Sequence, residues 1–358
     1  MIHAFFKSRR WASWAYGMGL FIVLIIWLQV DLSVQANAWY RTFYDMLQTA
    51  QEHDVSEFWH SLFGWEWAWE RIFFVIPMLV PKTFIWIAIP IVLTGTLGNF
   101  LISHYGFRWR QAITENYIPR WRNVEHEIEG ASQRIQEDAN RFARIVESLG
   151  LQLLRAILTL IAFLPILWTL SGQVDLPIIR DVPGSLVWAA LLVSVGGMAV
   201  SWFVGWFLPG LEYNNQKVEA AFRKELVLGE DDKIHHAQPE TLFGLFTGLR
   251  HNYFRLYLHY GYFNLWSNAY GQITSLTPLL MIGPAMFTGA VSVGLLFQVN
   301  NAYGQVDGAF SVVLNNWTTL TELRSIWKRL HEFEGNLDKY DIGHDVAADA
   351  QEASPLPI

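Results

Sequence analysis

Five stretches of this 358-residue sequence contain no Asp, Glu, Lys or Arg over at least 19 residues. They cover residues 11–30, 83–107, 156–174, 182–211 and 256–306. A helix needs about 20 residues to cross the hydrocarbon core of a bilayer, where a charged side chain costs about 2.5 to 3.5 kcal/mol. The last stretch is long enough for two crossings, and its prolines predict a turn at 278–284. The sequence therefore predicts an all-α integral membrane protein of six spans, the last two at 256–278 and 284–321.

The composition agrees with a membrane protein and excludes several other classes. Hydrophobic residues make up 52% of the chain and charged residues 16%, against about 25% in ordinary globular chains. A net charge of −7 argues against nucleic-acid binding. The absence of cysteine excludes disulfides and thiolate metal sites. The histidines lack metal-site spacing and no Gly-x-Ser-x-Gly occurs, so we expect no metal, no cofactor and no enzymatic activity.

The distribution of basic residues predicts the orientation. With both termini in the cytoplasm, 21 of the 25 Lys and Arg residues lie inside, as the positive-inside rule requires. The charged connections 108–155 and 210–255 are then cytoplasmic, and they should continue the spans as helices. This layout resembles the transmembrane domain of an ABC exporter. We expect one transmembrane domain over 1–335 and a flexible cytoplasmic tail over 336–358.

The segment between the first two spans is expected on the outer side of the membrane. It is rich in Trp over 55–81, and we interpret the short apolar run 72–81 as an interfacial helix. Its net charge of −4 would attract cationic peptides, although the positive-inside rule alone also leaves the outside poor in base. The first span could instead be a signal peptide, but its apolar segment is longer than such signals usually have.

Polar side chains recur along the last two spans at intervals typical of one helical face. We predict that they line a substrate cavity together with two aromatic residues, and the set is Tyr257, Tyr260, Asn264, Asn268, Gln272, Gln298, Asn301, Gln305 and Asn315. Lipid cannot satisfy such groups, so they face either a water-filled cavity or a neighbouring helix. The spacing leaves both interpretations open.

Several longer segments resemble a known family. They include WYRTFYDMLQTA at 39–50, SHYGFRWRQAITENY at 103–117, EGASQRIQEDANRFA at 129–143 and NNWTTLTELRSIWKRLHEFE at 315–334. These segments are similar to the SbmA/BacA peptide transporters, and the resemblance extends over about residues 14–335. It implies a homodimer with an exporter-like core and no nucleotide-binding domain, which imports peptides across the inner membrane of Gram-negative bacteria by using the proton gradient. Proline-rich antimicrobial peptides and peptide-like antibiotics are the implied substrates.

The resemblance also singles out acidic residues. It implies transport roles for Glu137, Glu147, Glu219 and Glu230, and we add Asp307 and Glu322 as further proton-coupling candidates on or near the sixth span. A buried carboxylate can take up a proton near neutral pH because burial disfavours its charged form. The alternative is ion pairing along a helix, with Arg141, Arg223 and Arg144 as partners of Glu137, Glu219 and Glu147 respectively.

Two other functions remain open. No G-x-x-x-x-G-K-[ST] motif occurs, so we expect that the chain does not hydrolyse ATP itself. It could still be the transmembrane subunit of an ABC transporter that works with a separate ATPase, or a membrane scaffold whose polar stripes only hold helices together. Against the family pattern, we expect an enlarged outer segment around 59–69 and no additional N-terminal hydrophobic helix.

Overall fold

The computed structural model describes residues 1–72, 76–124, 128, 130–173 and 182–340. It confirms the all-α class, with long helices over most of this part of the chain. The helices are α1 Ile2–Phe6, α2 Ala12–Gln48, α3 Val55–Phe63, α4 Phe84–Arg122, α5 Ala131–Ser171, α6 Ser185–Gly205, α7 Leu208–Asp231, α8 Lys233–His236, α9 Pro239–Phe287, α10 Val293–Asn315 and α11 Trp317–Tyr340. The predicted helical continuations of the spans are confirmed in α4, α5, α7 and α9. Residues 341–358, most of the predicted tail, lie outside the described residues.

Four of the described helical segments are long and apolar enough to cross a membrane. They are α2, α4, α5 and the segment Ser185–Asp231, which comprises α6 and α7. Between 28% and 33% of the most apolar window of each is buried within the chain, so most of that surface requires lipid or another chain. The predicted fifth and sixth spans lie in α9 and α10, whose polar side chains lower their hydropathy. Six crossings therefore stay a prediction.

The outer segment differs from its prediction. The interfacial helix predicted at 72–81 is wrong, because Trp67–Ile72 (β1) and Ile76–Pro81 (β2) form an antiparallel hairpin in which Trp67 pairs with Pro81. The sequence WEWAWE places tryptophans at every second position, which is the period of a strand. Two prolines in β2 further disfavour a helix. The segment between α2 and the hairpin includes α3 as well as irregular backbone.

The turn between the last two predicted spans also lies elsewhere. The helix α9 continues through Pro278 and Pro284 and ends at Phe287, so the turn predicted at 278–284 is wrong. The chain reverses at 288–292, where Gly289 has a φ of 72°. Glycine adopts this left-handed conformation without the steric cost of a side chain. A proline inside a helix removes one hydrogen bond but need not end the helix when tertiary packing supports it.

The helix α10 is the centre of the largest buried cluster of the described residues. It packs against α2, α5, α6 and α9, and its residues Val299, Ala302, Tyr303 and Val306 are almost fully buried. A side-chain cap at its N-terminus joins it to α2. Asp45 Oδ1 accepts a hydrogen bond from the backbone N–H of Gly294 at 2.9 Å. The cap satisfies a free N–H of the first helical turn and places a negative charge at the positive end of the helix dipole.

A second cluster joins α4, α5 and α11, and a buried ion pair lies beside it. Asp138 of α5 is only 2% exposed, and it accepts hydrogen bonds from Arg134 at 2.7 Å and from two nitrogens of Arg329 at 2.7 and 3.0 Å. Arg329 belongs to α11, so this pair fixes α11 against α5. Burial alone raises the pKa of Asp138, but the hydrogen bonds from Arg329 and Arg134 outweigh it and hold the pKa below its usual range.

Candidate functional site

Two of the acidic candidates share one arginine. Glu137 Oε1 lies 2.7 Å from a guanidinium nitrogen of Arg141, and Glu322 Oε1 of α11 lies 3.3 Å from another nitrogen of the same residue. The structure therefore brings Glu137 and Glu322 together, and it confirms the predicted pair of Glu137 with Arg141. All three side chains are well exposed to solvent. The two carboxylates thus share one guanidinium in an exposed ion-pair cluster that joins α5 to α11.

Glu147 has a different type of partner. The hydroxyl of Ser103 in α4 donates a hydrogen bond to Glu147 Oε1 at 2.5 Å, whereas the alternative pair with Arg144 is not among the ion pairs of the described residues. Gly106 of α4 permits this approach, because a Cβ there would lie 3.3 Å from the Glu147 Cβ. Both Glu137 and Glu147 lie in π-helical turns of α5, at Arg134–Asp138 and Val146–Gly150. Such turns are rare and frequently occur at functional sites.

Glu219 resembles Glu147 in its contacts, and Glu230 does not. The phenol of Tyr253 in α9 donates a hydrogen bond to Glu219 Oε1 of α7 at 2.9 Å. The alternative pair of Glu219 with Arg223 is not found within the described ranges. Glu230 is exposed near the end of α7, and no hydrogen bond or ion pair of the described residues involves it. The four glutamates implied by the family resemblance are thus distributed over α5 and α7 and have three kinds of environment.

Asp307 lies at a junction of three helices. Its Oδ1 accepts hydrogen bonds from Ser194 Oγ of α6 at 2.8 Å and from the Tyr270 phenol of α9 at 3.0 Å. The Tyr270 ring fits against α6 because position 197 is glycine, and a Cβ at Gly197 would overlap the ring. Asp307 is partly buried, and no ion pair to it occurs among the described residues. Asp307 is therefore a carboxylate in an apolar part of the fold, and its hydrogen-bond partners are neutral hydroxyl groups.

The cavity candidates on α9 lie on its surface. Tyr257, Tyr260, Asn264, Asn268 and Gln272 are all exposed. A cavity of about 360 Å³ lies next to this stripe, between α7 and α9, and Phe207, Leu211, Asn214, Arg255 and His259 contribute to its lining. The polar face of α9 is thus available to water, to substrate or to a second chain, as a cavity lining requires.

The candidates on α10 have mixed environments. Asn301 donates a hydrogen bond to Asn37 Oδ1 of α2 at 3.0 Å, and Gln298 accepts one from Arg41 of α2 at 3.4 Å. These two side chains join helices, as the alternative interpretation of the stripe proposed. Gln305 is partly exposed and Asn315 is exposed, and neither has a hydrogen-bond partner among the described side chains. The polar stripe of α10 therefore contributes to packing at its beginning and to accessible surface further along.

Several residues of these sites were not predicted from the sequence. Ser194 and Tyr270 lie 113 and 37 residues from Asp307, so no local spacing connects them with it. Asp31, which contributes to the net charge of −4 given above for the outer segment, is 4% exposed within α2. Arg155 of α5 donates to Gln29 of α2 at 2.5 Å. A charged residue in an otherwise apolar helix was the available signal for Asp31 and Arg155.

These apolar helices, with carboxylates and hydroxyl groups between them, define a multi-helix integral membrane protein. A sequence profile of the SbmA/BacA-like family matches residues 8–338, nearly the whole chain. The chain therefore belongs to the SbmA/BacA-like family.

Curated relatives carry names of a related class. The chain is 28% identical over 270 residues to an uncharacterized ABC transporter ATP-binding protein of Synechocystis sp.. The aligned residues make up 70% of this chain and 39% of that protein. It is 26% identical to the inner membrane ABC transporter ATP-binding protein YddA of Escherichia coli, over 68% of this chain and 47% of that protein. It is also 26% identical to the chloroplastic ABC transporter D family member 2 of Arabidopsis thaliana, over 68% and 36% respectively. The chain thus spans less than half the length of these relatives.

Proposed function

We propose that this protein imports peptides across the bacterial inner membrane and that the proton gradient drives the import. The substrates are cationic or proline-rich peptides, including antimicrobial peptides and peptide-like antibiotics. The protein works as a lipid-embedded homodimer with six spans per chain and with both termini in the cytoplasm. Its central cavity is open alternately to the two sides, and protonation of carboxylates changes the preferred state.

One observation carries the proposal: three of the acidic candidates have hydroxyl partners in place of cations. Glu147 binds Ser103, Glu219 binds Tyr253, and Asp307 binds both Ser194 and Tyr270. A hydroxyl can donate to an ionised carboxylate and can rotate to accept from a protonated one, so both states keep a partner. A guanidinium can only donate, and it therefore favours the ionised state alone. We accordingly favour Glu147, Glu219 and Asp307 as proton carriers over Glu137 and Glu322.

The exposure of α7 and α9 supports the homodimer. None of the three buried clusters of the described residues contains a residue of α7, and α7 packs mainly along α9. Large apolar side chains on these two helices remain exposed, among them Phe243, Phe254 and Leu265. Exposed apolar side chains of this size mark a surface that contacts lipid or another chain. A second copy of the chain would cover it, and the polar face of α9 would then line a cavity between the two copies.

The test is uptake of a fluorescent proline-rich peptide into proteoliposomes that contain only this protein. We expect accumulation when the lumen is made alkaline relative to the outside, without ATP, and loss of accumulation when a protonophore removes the gradient. No accumulation above protein-free liposomes under any gradient would contradict the proposal.

A second function has one observation in its favour. The relatives named above carry "ABC transporter ATP-binding protein" in their names, and they match most of this chain. A transmembrane subunit that works with a separate ATPase would give uptake only when ATP and that second protein are added. The same liposome assay separates the two functions.

A further inference from the structure

We propose that Asp307 is the proton acceptor within the membrane and that its protonation weakens the hydrogen bonds that join α10 to α6 and α9. This inference rests on the proposed function and assigns it a residue and a structural effect. The family resemblance places its glutamates on α5 and α7, whereas Asp307 lies on α10 at the one described point where α6, α9 and α10 meet through a single carboxylate oxygen.

The geometry makes the junction dependent on the charge of Asp307. Its Oδ1 receives hydrogen bonds from α6 through Ser194 and from α9 through Tyr270, at 2.8 and 3.0 Å. Hydrogen bonds to an ionised acceptor are about twice as strong as those between neutral groups. A proton on Asp307 therefore weakens the links to both neighbouring helices at once. The carboxylic acid can then donate to only one acceptor.

The groups around Asp307 are neutral or engaged elsewhere. Tyr270 faces it from α9, Tyr303 lies on its own helix, and α6 carries no charged residue. In α5, the charged Arg155 binds Gln29. In α2, Arg41 binds Gln173 and Gln298, and the remaining charges of α2 are Asp31 and Asp45. None of the described ion pairs or hydrogen bonds joins a cation to Asp307, so no fixed positive charge opposes its protonation.

The same contacts connect Asp307 to the exposed stripe of α9. The Tyr270 phenol and the Trp266 indole are donors on successive turns of α9, and Trp266 donates to Ser201 of α6 at 2.8 Å. Gly197 allows the Tyr270 ring to lie against α6. When Asp307 is protonated, the hydrogen bonds of Tyr270 and Trp266 that hold α9 in place are all between neutral groups. The helix that carries Asn268 and Gln272 could then move relative to α10, which changes access to the cavity.

The experiment compares variants in the proteoliposome assay under two conditions. Asp307→Asn has nearly the same size and cannot take up a proton. We expect it to lose accumulation driven by the pH gradient but to keep exchange of labelled for unlabelled peptide at equal pH on both sides. Exchange needs an intact binding site and moving helices but no net proton transfer, so it shows that the variant is folded.

A second variant tests the role of the hydroxyl donors. Tyr270→Phe keeps the ring against Gly197 and removes one hydrogen bond that favours the ionised form, so protonation becomes easier. The pH of half-maximal uptake should rise by about one unit, since one hydrogen bond to a charged group is worth about 1.5 kcal/mol or more. Tyr262→Phe, at an exposed tyrosine of the same helix outside the predicted cavity set, is the matched control and should leave the profile unchanged.

The outcomes are distinguishable. If the wild-type protein does not accumulate peptide under a pH gradient, the proposed function fails and the role of Asp307 fails with it. If the wild type accumulates peptide and Asp307→Asn does so equally, the proposed function stands and the assignment of Asp307 is overturned. An identical pH profile for Tyr270→Phe and Tyr262→Phe overturns the coupling through α9, even if Asp307→Asn is too unstable to purify.

Discussion

Replacing Asp138 by Asn should destabilise the fold far more than replacing its neighbour Glu137 by Gln. Asp138 is 2% exposed and binds two arginines, whereas Glu137 is 40% exposed and binds one. Each substitution keeps the size of the side chain and removes one negative charge. The two variants thus compare a buried and an exposed ion pair one residue apart.

The structure sets the expected magnitudes. Removal of one partner from a buried ion pair costs about 3 to 5 kcal/mol because the other charge is left without compensation. Arg134 and Arg329 are 24% and 33% exposed, so water can partly solvate them in the variant. We therefore expect a loss of about 2 to 3 kcal/mol for Asp138→Asn, and less than about 1 kcal/mol for Glu137→Gln, as for other exposed pairs.

Thermal unfolding in detergent measures both values through the fluorescence of the 18 tryptophans. With an unfolding entropy of about 2.1 cal/mol/K per residue, a chain of 358 residues shifts its midpoint by about 1.3 °C per kcal/mol, so Asp138→Asn should lower the midpoint by roughly 3 to 4 °C. The effect should persist from pH 8 to pH 5. The pKa of Asp138 is lower in the folded than in the unfolded chain, so its contribution is complete above about pH 4 and is lost only as the pH falls through the folded value. Equal midpoints for the two variants, or a difference that disappears by pH 6, would refute this reasoning.

Three further predictions follow from the site and the proposed topology. Glu147→Gln should make cells resistant to an imported toxic peptide without lowering expression in the membrane, because the variant cannot carry the proton. Normal sensitivity would indicate that Glu147 has only a structural role. In this cysteine-free chain, Gln272→Cys should react faster with a membrane-impermeant thiol reagent than Asn301→Cys, because Gln272 is exposed and Asn301 is bonded to α2; equal rates would contradict the cavity. A peptide tag near Glu57 should be accessible from outside the cell while a C-terminal reporter is not, and the reverse pattern would contradict the orientation.

The helices could be predicted from the sequence because their cause is local. A charge-free run of 19 or more residues has few alternatives to a helix in a membrane, so α2, α4, α5 and α6 were all expected. The hairpin could have been found from the alternating tryptophans of 65–69, which have the period of a strand. The turn at Gly289 could not have been predicted, because Pro278 and Pro284 are the stronger sequence signal for a turn. The packing of α9 nevertheless keeps both prolines inside the helix.

The site depends on contacts that the sequence does not encode locally. The regular spacing of Gln298, Asn301 and Gln305 indicated one polar face but could not show that the first two bind α2 and the third does not. Ion pairing of Glu137 with Arg141 follows from their spacing on a helix. The hydroxyl partners of Glu147 and Asp307 come from other helices, so only the fold brings them together.

The central claim is that peptide movement and proton movement are coupled in this protein without ATP. The most direct measurement uses proteoliposomes that contain a pH-sensitive dye inside, with equal pH on both sides and a gradient of proline-rich peptide directed inward. The account predicts that added peptide acidifies the lumen, and that Asp307→Asn transports peptide down its gradient without this acidification. Peptide entry through the wild-type protein with no change in internal pH would contradict the account.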